Sequence, residues 1–479
     1  MNVQADTAVN EIAAPAPDSN RWLALPILLT GAFLPVLDFN IVNLALPAIR
    51  ADLGATPSEV QFVISGYAAA YAVFLITGGR LGDWFGRKRL FMLGVAGFAI
   101  ASIMCGTARS AEILIASRIL QGLTATLMAP QVLASIRVLF PADEQGKALA
   151  FYGATFGLAN IAGQILGGVL VSAQPFGWPW QTVFLINAPI GLLVLTGSAL
   201  FLRDSKAERA QKLDVGGVAL LSLTLSLLVF PLIEGREYGW PSWLVAMLLA
   251  APLFLAAFVR YENHVTRRGG SPLVEMSVFR EPGFAIGIIM ALLFYMLSSF
   301  YLTFSIYLQN GLHLTPLEAG WRTMPFGIGY LLASFASAAI MQRLGSRALT
   351  LGFVVQIVGF GLIAAVVAGT KPVALAIGLF TAGAGFGIVM PSVLKAILGG
   401  VNARRAGLAS GVVISTFQIG AALGVATITG VFYCALGDTT DPASHAWAFA
   451  VALSGNIGLI FVAALLSLWL PNPDSTVTR

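Results

Sequence analysis

A short basic segment joins the second and third apolar stretches of the chain: Gly79-Arg80-Leu81-Gly82-Asp83-Trp84-Phe85-Gly86-Arg87-Lys88-Arg89. Glycines at both ends allow the chain to turn sharply between two antiparallel helices. Asp83 can accept hydrogen bonds from arginines or from a helix N-terminus, and the cations can bind carbonyl groups and lipid phosphates. A plain basic loop at a membrane surface is the simplest interpretation, but the ordered pattern G-x-L-x-D-x-x-G-R-K is far more specific.

The composition around this segment excludes a water-soluble protein. Of the 479 residues, 57% are hydrophobic and 10% are charged, whereas soluble domains carry roughly 25% charged residues. The mean hydropathy is +0.84, which also excludes a disordered chain. Two cysteines and three histidines argue against a disulfide framework or a metal site. The net charge of +5 arises beside apolar stretches, so no nucleic-acid partner is expected.

The apolar stretches predict an all-α integral membrane protein that spans the lipid bilayer. A membrane helix needs about 20 apolar residues, and we place fourteen such spans near 22–49, 58–78, 90–108, 112–134, 147–173, 180–202, 214–234, 240–260, 282–308, 316–341, 349–369, 372–394, 406–435 and 444–470. An even number puts both termini on one side. If that side is the cytoplasm, the inner segments hold 21 lysines and arginines and the outer segments hold 4. The positive-inside rule therefore predicts cytoplasmic termini in a cytoplasmic (plasma) membrane.

A weaker copy of the basic segment occurs in the second half of the chain, at Gln342-Arg343-Leu344-Gly345-Ser346-Arg347. It keeps the glycine and the cations but lacks the aspartate. Its position fits two parallel six-span repeats with an extra pair of spans between them. The predicted organisation is a cytoplasmic tail (1–20), a six-helix bundle (21–204), two additional helices (205–262), a second six-helix bundle (263–470) and a second tail (471–479). The segment 261–281 is expected to be a loop and a hinge between the halves.

Several motifs together resemble one transporter family. The segment 79–89 resembles the signature loop of the major facilitator superfamily. Four more segments, 37–47, 118–122, 180–191 and 409–424, are similar to motifs of its fourteen-span drug:proton antiporters, the QacA/EmrB type. The resemblance implies export of lipophilic or cationic drugs or toxic metabolites in exchange for protons, with two bundles rocking against each other. It also implies a monomer without a cofactor, driven by the proton gradient, and a gating loop that contains Gly79, Asp83, Gly86, Arg87 and Lys88.

The fifth span departs from the family pattern. Asn160 and Gln164 stand where the antiporter motif has prolines, which puts the family's kink in doubt. Both amides lie on one helix face together with Gly153, Gly157 and Gly167, because at 100° per residue the other four positions fall within about 40° of Gly153 on either side. That face can serve helix packing or contact a substrate, and the sequence does not decide between the two.

Asp38 is the strongest single candidate for a functional residue. It lies about 24 Å into the first span at 1.5 Å per residue, where an ionised carboxylate is costly and is usually functional. Arg118 of the fourth span should lie at a similar depth, so we expect the two to approach each other. The pair is either a permanent ion pair that fixes helix packing or a site that couples protons or cations to transport. Asn40 and Asn43 of the same span face other directions than Asp38.

The remaining candidates for a substrate cavity are polar or aromatic side chains within the spans. With Asn40, Asn43, Asn160 and Gln164, they are Gln121, Tyr301, Ser305 and Gln418. Polar stripes of this kind serve interhelical packing more often than binding. Three alternatives to a drug exporter stay open: a proton-coupled symporter that imports a small nutrient, a membrane enzyme, and a sensor or structural membrane protein. An enzyme is disfavoured because no cluster of acidic and histidine residues lies at a membrane face.

Overall fold

The computed structural model describes residues 21–204, 213–235, 238–367, 372–399, 406–437 and 439–470. Over these ranges the chain forms helices and contains no β-strand. Fourteen helices in the described part are long and apolar enough to cross a membrane, which confirms the predicted number. The two tails, 1–20 and 471–479, lie outside the described residues.

The fourteen membrane helices are numbered here in chain order. They are α1 (Arg21–Leu53), α2 (Pro57–Phe85), α3 (Arg87–Gly106), α4 (Ala111–Leu139), α5 (Ala142–Ala173), α6 (Gln181–Leu185 and Asn187–Phe201), α7 (Val215–Glu234), α8 (Ser242–Arg267), α9 (Pro282–Tyr295, Met296–Ser298, Ser299–Ile306 and Tyr307–Gly311), α10 (Pro316–Leu344), α11 (Arg347–Val366), α12 (Pro372–Gly399), α13 (Ala406–Gly424, Val425–Thr429 and Gly430–Leu436) and α14 (Pro442–Ser467).

Several helices differ from the expected spans. α9 contains a 3₁₀ turn at Met296–Ser298 and a π turn at Tyr307–Gly311, and α13 contains a π turn at Val425–Thr429. α8 continues to Arg267, and a short 3₁₀ helix follows at Met276–Arg280. The expected loop over 261–281 is therefore wrong at both ends, because helical structure occupies part of it.

The second helix of each bundle begins with the same local structure. α2 follows Thr56 and α10 follows Thr315, and each threonine forms a capping box with a glutamate three residues later, Glu59 or Glu318. In both cases proline is the first helical residue, where a missing amide proton costs nothing. The shared Thr-Pro-x-Glu start is a second trace of the internal repeat.

These two helices also end alike, with a glycine in a conformation that other residues rarely adopt. Gly86 has φ 100° and Gly345 has φ 56°, so each permits the sharp turn into the next helix. The sequence interpretation placed turning glycines at both ends of 79–89. In the structure Gly79 lies inside α2, and Gly86 alone makes that turn within the segment.

Twelve of the membrane helices pack as two six-helix bundles, and α7 and α8 form an additional pair. In the first, α1 packs on α5 and α4 packs on α2 and α3; in the second, α12 packs on α10 and α11, and α14 on α11. α7 and α8 pack on each other, and α7 also contacts α2. The bundles meet where α5 runs along α10 and where α2 runs along α13. We call the side on which α1 begins the terminal face and the opposite side the distal face.

Candidate functional site: a buried ion pair and a polar bundle interface

A buried ion pair lies inside the first bundle. A guanidinium nitrogen of Arg118, on α4, lies 2.5 Å from Oδ2 of Asp38, on α1, and both side chains have an exposed fraction of 0%. Arg118 also donates through Nε to the carbonyl oxygen of Val63 on α2, at 2.9 Å, and lies over the ring of Tyr67, 4.3 Å from its centroid. The pair therefore connects three helices, and the expected approach of the two residues is found.

Two amide side chains complete the surroundings of Asp38. Oδ1 of Asp38 accepts from Nε2 of Gln121 at 2.9 Å and from Nδ2 of Asn187 at 2.8 Å. Ser102 accepts from both amides in turn. Gln121, a candidate for the substrate cavity, lies in this ion-pair cluster and is fully buried, and its contact with a substrate stays a prediction. Asn187 was missed, although its place in the apolar segment 180–191 was a signal.

The ion-pair cluster is internal to the first bundle. Its hydrogen-bonding side chains come from α1, α3, α4 and α6, and within the described ranges no side chain of the second bundle donates to Asp38. Three donors satisfy both carboxylate oxygens, which offsets part of the large cost of burying the charge. In this conformation the carboxylate is not open to a cationic substrate.

A second polar group lies between the two bundles. Nδ2 of Asn160, on α5, donates to the hydroxyl of Tyr301 on α9 at 2.9 Å and lies 3.2 Å from Oδ1 of Asn40 on α1. All three residues are buried. Asn40, Asn160 and Tyr301 are candidates that the structure brings together. The Asn160–Tyr301 bond joins one bundle to the other.

Towards the distal face, side chains of α9 bind backbone oxygens of α1. The hydroxyl of Ser305 donates to the carbonyl of Asn43 at 2.9 Å, and Nε2 of Gln309 donates to the carbonyl of Leu44 at 3.0 Å. Asn43 contributes its backbone here, because its side chain donates to the carbonyl of Phe39 on its own helix. Gln309 was missed by the sequence analysis. Its signal was the pair of amide residues, Gln309 and Asn310, directly after the ninth apolar stretch.

The other two amide candidates stand apart from this group. Gln164 is buried on α5, and its backbone oxygen lies 2.6 Å from where a Cβ on Gly320 of α10 would stand. Gln164 therefore occupies a close helix contact, where a larger residue than Gly320 would not fit. Gln418 is half-buried on α13. Neither side chain hydrogen-bonds to Asn160 or Tyr301.

Aromatic side chains extend the bundle interface. Tyr295 of α9 stacks on Phe417 of α13 with ring centroids 4.0 Å apart, and its hydroxyl lies 3.6 Å from the sulfur of Met390 on α12. Tyr330 of α10 meets Phe386 of α12 at 5.3 Å. Tyr301, which bonds to Asn160 of the first bundle, lies 5.5 Å from Phe326 of α10. Aromatic rings and hydroxyl groups of the second bundle thus lie beside the contact with the first.

The basic segment 79–89 holds helix ends together at the terminal face. Nζ of Lys88 donates to the carbonyl oxygens of Ala199 and Leu202, at 3.0 and 2.6 Å, near the end of α6. Arg89 lies 3.3 Å from Asp204. Arg87 is the first residue of α3 and is half-buried. The side chain of Asp83 lies outside what the structure describes, so its expected hydrogen bonds stay a prediction.

Comparisons with known proteins agree with this architecture. The chain is 39% identical over 431 residues to the "Probable actinorhodin transporter" of Streptomyces coelicolor, covering 89% of this chain and 75% of that protein. It is 33% identical to the "Tetracenomycin C resistance and export protein" of Streptomyces glaucescens, over 87% and 77% of the two chains. It is 31% identical to the "Multidrug resistance protein Stp" of Mycobacterium tuberculosis, over 88% and 78%.

Solved structures show the same fold at low sequence identity. A bacterial homologue of the human lysosomal transporter Spinster superposes with a TM-score of 0.67 at 15% identity, over 94% of this chain and 96% of that one. The xylose transporter XylE of E. coli gives 0.62 at 13%, over 95% and 100%. The family model described as the Major Facilitator Superfamily matches residues 28–425 and 286–479. The chain therefore belongs to the major facilitator superfamily of membrane transporters.

Proposed function

We propose that this protein exports aromatic, lipophilic compounds in exchange for protons, as a monomer that alternates access between two faces of the cytoplasmic membrane. The hydrogen-bonded contact of Asn160 with Tyr301 between the bundles carries the proposal, because it places polar and aromatic groups where two rocking bodies meet. The relatives named as a tetracenomycin C resistance and export protein and as a multidrug resistance protein support the direction of transport.

Closure of the distal face supports alternating access. The bonds of Ser305 and Gln309 to α1 join the bundles there, and the amide of Leu317 donates to Ser172 across the α5–α10 contact at 2.8 Å. The excess of lysine and arginine on the terminal side favours a cytoplasmic location for that face. The distal face would then be the outer one, and this conformation would be closed to the outside.

The substrate class follows from the side chains at the interface. Tyr295, Tyr301 and Tyr330 offer ring faces and hydroxyl groups, and Asn160 offers an amide. A planar aromatic compound with hydroxyl or carbonyl groups matches this set, since rings stack and the polar groups fix orientation. A lipophilic cation could also lie against the ring faces.

Proton coupling is assigned to Asp38. With Asp38 ionised, its bonds to Arg118, Gln121 and Asn187 hold α1, α4 and α6 together. A proton on Asp38 would neutralise the carboxylate, weaken the contact with Arg118 and free α1 to shift against its neighbours. Because α1 also carries Asn40 and the carbonyls bound by α9, such a shift would reach the bundle interface.

The test uses inverted, energised membrane vesicles whose lumenal pH is followed after a compound is added. The compounds are tetraphenylphosphonium, a lipophilic cation, and a polycyclic aromatic quinone. We expect the wild type to release lumenal protons and Asp38→Asn, folded and inserted, to release none. The matched control is Asp52→Asn, the same substitution at the exposed end of α1, which should behave like the wild type.

Two other outcomes would contradict the proposal in different ways. Equal proton release from wild type and Asp38→Asn would show that drug is exchanged for protons without Asp38. The Asp38–Arg118 ion pair would then serve helix packing alone. No release with either compound, together with accumulation of a nutrient inside whole cells, would favour the proton-coupled importer.

A further inference from the structure

The segment 268–281 connects α8 to α9 and is called the connection here. Charged side chains of other elements bind its backbone. Arg80, near the end of α2, donates to the carbonyl oxygen of Ser271 at 3.0 Å and to that of Pro272. Asp214, which precedes α7, accepts from the amide of Leu273 at 3.0 Å. Leu273 is buried, so its amide would otherwise lack a partner, which is unfavourable.

Glu262 of α8 binds the next residue of the same connection. Its Oε2 accepts from the amide of Val274 at 2.8 Å. Four consecutive residues, 271–274, are thus held by side chains of α2, of α8 and of the residue that precedes α7. The extra helix pair and the connection between the bundles form one attached unit on α2.

The two carboxyl groups point into the same small space. Oε1 of Glu262 and Oδ2 of Asp214 both lie within 2.6 Å of where a Cβ on Gly217 would stand, so the glycine leaves room for them. Glu262 has an exposed fraction of 0% and Asp214 of 7%. Oε1 of Glu262 has no hydrogen-bond partner among the described residues.

Among the described residues, the charges around this pair do not balance if both acids are ionised. Within that part of the chain, Arg80 of α2 is the cation that interacts with Asp214 and Glu262, and the phenol of Tyr261 on α8 is a neighbour of Asp214. Two carboxylates and one guanidinium would leave a net negative charge in a buried place, which is strongly unfavourable. A proton shared by the two carboxyl groups removes that charge and gives Oε1 of Glu262 a partner.

We propose that Asp214 and Glu262 form a proton-binding site, separate from Asp38, that fastens the connection 271–274 and the α7–α8 pair to α2. Loss of the proton leaves two like charges in one space and pushes Glu262 away from the amide of Val274. The connection then loosens from Arg80. Because Arg80 lies in the basic segment 79–89 of the first bundle, the protonation state of this site controls how firmly the extra pair is attached to that bundle.

The experiment measures protonation directly, on the full chain in lipid nanodiscs. Infrared difference spectra between acidic and alkaline buffers report the carbonyl stretch of a protonated carboxylic acid, which shifts in heavy water. We expect a band that disappears on alkalinisation in the wild type and in Asp38→Asn. The band should be lost in Glu262→Gln and in Asp214→Asn. The matched control is Glu281→Gln, an exposed acid on the same connection, which should keep the band.

Thermal unfolding of the same samples gives a second reading. The folded wild type holds a proton that the unfolded chain releases at neutral pH, so its unfolding temperature should fall as the pH rises. Glu262→Gln keeps an acceptor for Val274 and gains a donor for Asp214, so it should fold and lose that part of the pH dependence. The same slope in wild type and Glu262→Gln would overturn the proposal.

A third outcome would replace the proton by a metal ion. If sodium or magnesium ions raise the unfolding temperature of the wild type at fixed pH, but not that of Glu262→Gln, the site binds a cation and the proton assignment is wrong. None of these readings uses transport, so they stay valid if the proposed exchange of drugs for protons fails.

Discussion

The first helices of the two bundles occupy equivalent places but are held by different chemistry. α1 is held by the buried Asp38–Arg118 ion pair and its amide neighbours. α9 is held by aromatic contacts: Phe300 meets Phe360 of α11 at 5.0 Å, and Tyr307 stacks on Phe449 of α14 at 5.1 Å. Its polar contact to α14 is a neutral one, from Ser299 to Asn456 at 3.2 Å.

This difference shows that the fold itself does not require a buried charge at that position. Aromatic packing achieves the same helix arrangement without the desolvation cost of an ion pair. A charge that the architecture does not need, and that is costly to bury, is a reasonable candidate for a role in transport. The contrast also implies that the two bundles respond differently to substitution.

The largest effect is expected from Arg118→Leu. Removal of the cation leaves Asp38 buried without its main partner, and breaking such a pair typically costs about 3–5 kcal/mol. The unfolding temperature in nanodiscs should therefore fall sharply. The double variant Asp38→Asn/Arg118→Gln removes both charges and should recover part of the loss. If the unfolding temperature falls no further in Arg118→Leu than in the double variant, the cost does not come from an unpaired buried carboxylate.

A smaller effect is expected from Phe300→Leu in the second bundle. The ring of Phe300 contacts Phe304, Phe326 and Phe360, but a change between large apolar residues usually costs less than about 1.5 kcal/mol once neighbours repack. The unfolding temperature should fall modestly, with no change in its pH dependence. A fall in unfolding temperature as large as that of Arg118→Leu would show that the two bundles do not differ in their response to substitution.

Tyr301→Phe tests the interface between the bundles and should affect stability still less. It removes the hydroxyl that accepts from Asn160 and keeps the ring against Phe326. Hydrogen bonds between membrane helices average about 0.6 kcal/mol, so stability should change little. We expect the apparent KM for an aromatic quinone to rise, measured as vesicle uptake against concentration. The control is Tyr307→Phe, because the hydroxyl of Tyr307 donates within the second bundle to the carbonyl of Val367. An equal rise in KM in this control would show that Tyr301 does not bind the substrate.

The sequence was sufficient to predict the spans and the depth of the two buried charges. Helical rise alone places Asp38 and Arg118 at similar depth, and their contact follows because a buried carboxylate needs a partner. The turn at Gly86 was also predictable, since the motif ends one apolar stretch and begins another. These features depend on local patterns along one helix.

Features that depend on which helices meet, and at what rotation, could not be predicted. The hydrogen bond of Gln121 to Asp38 was not foreseen, because the spacing of residues along α4 does not reveal which side chain of α1 faces it. The breaks within α9 were invisible because its apolar run is continuous. The joint burial of Asp214 and Glu262 depends on the path of residues 271–274, which lie between predicted elements.

The smallest effect is expected at an ion pair on the surface of the same bundle. Arg21, at the start of α1, binds both carboxylate oxygens of Glu144 near the start of α5, at 2.7 and 2.9 Å. The hydrogen bond from Arg21 holds the pKa of Glu144 below its ordinary value. Its contribution to stability is therefore present above the unfolded-state pKa, about 4.3 for Glu, and is lost as the pH falls through the lower pKa of the folded state.

Solvent screening makes this contribution slight, since ion pairs near the surface add little to stability. Glu144→Gln should lower the unfolding temperature a little at neutral pH and leave it unchanged in strong acid, where the wild-type carboxylate is protonated too. Raising the salt concentration should reduce the difference at neutral pH further. A large fall in the unfolding temperature of Glu144→Gln that does not depend on salt would contradict this expectation. The surface pair would then stabilise the bundle as the buried Asp38–Arg118 pair does, and burial would not decide the strength of charge interactions here.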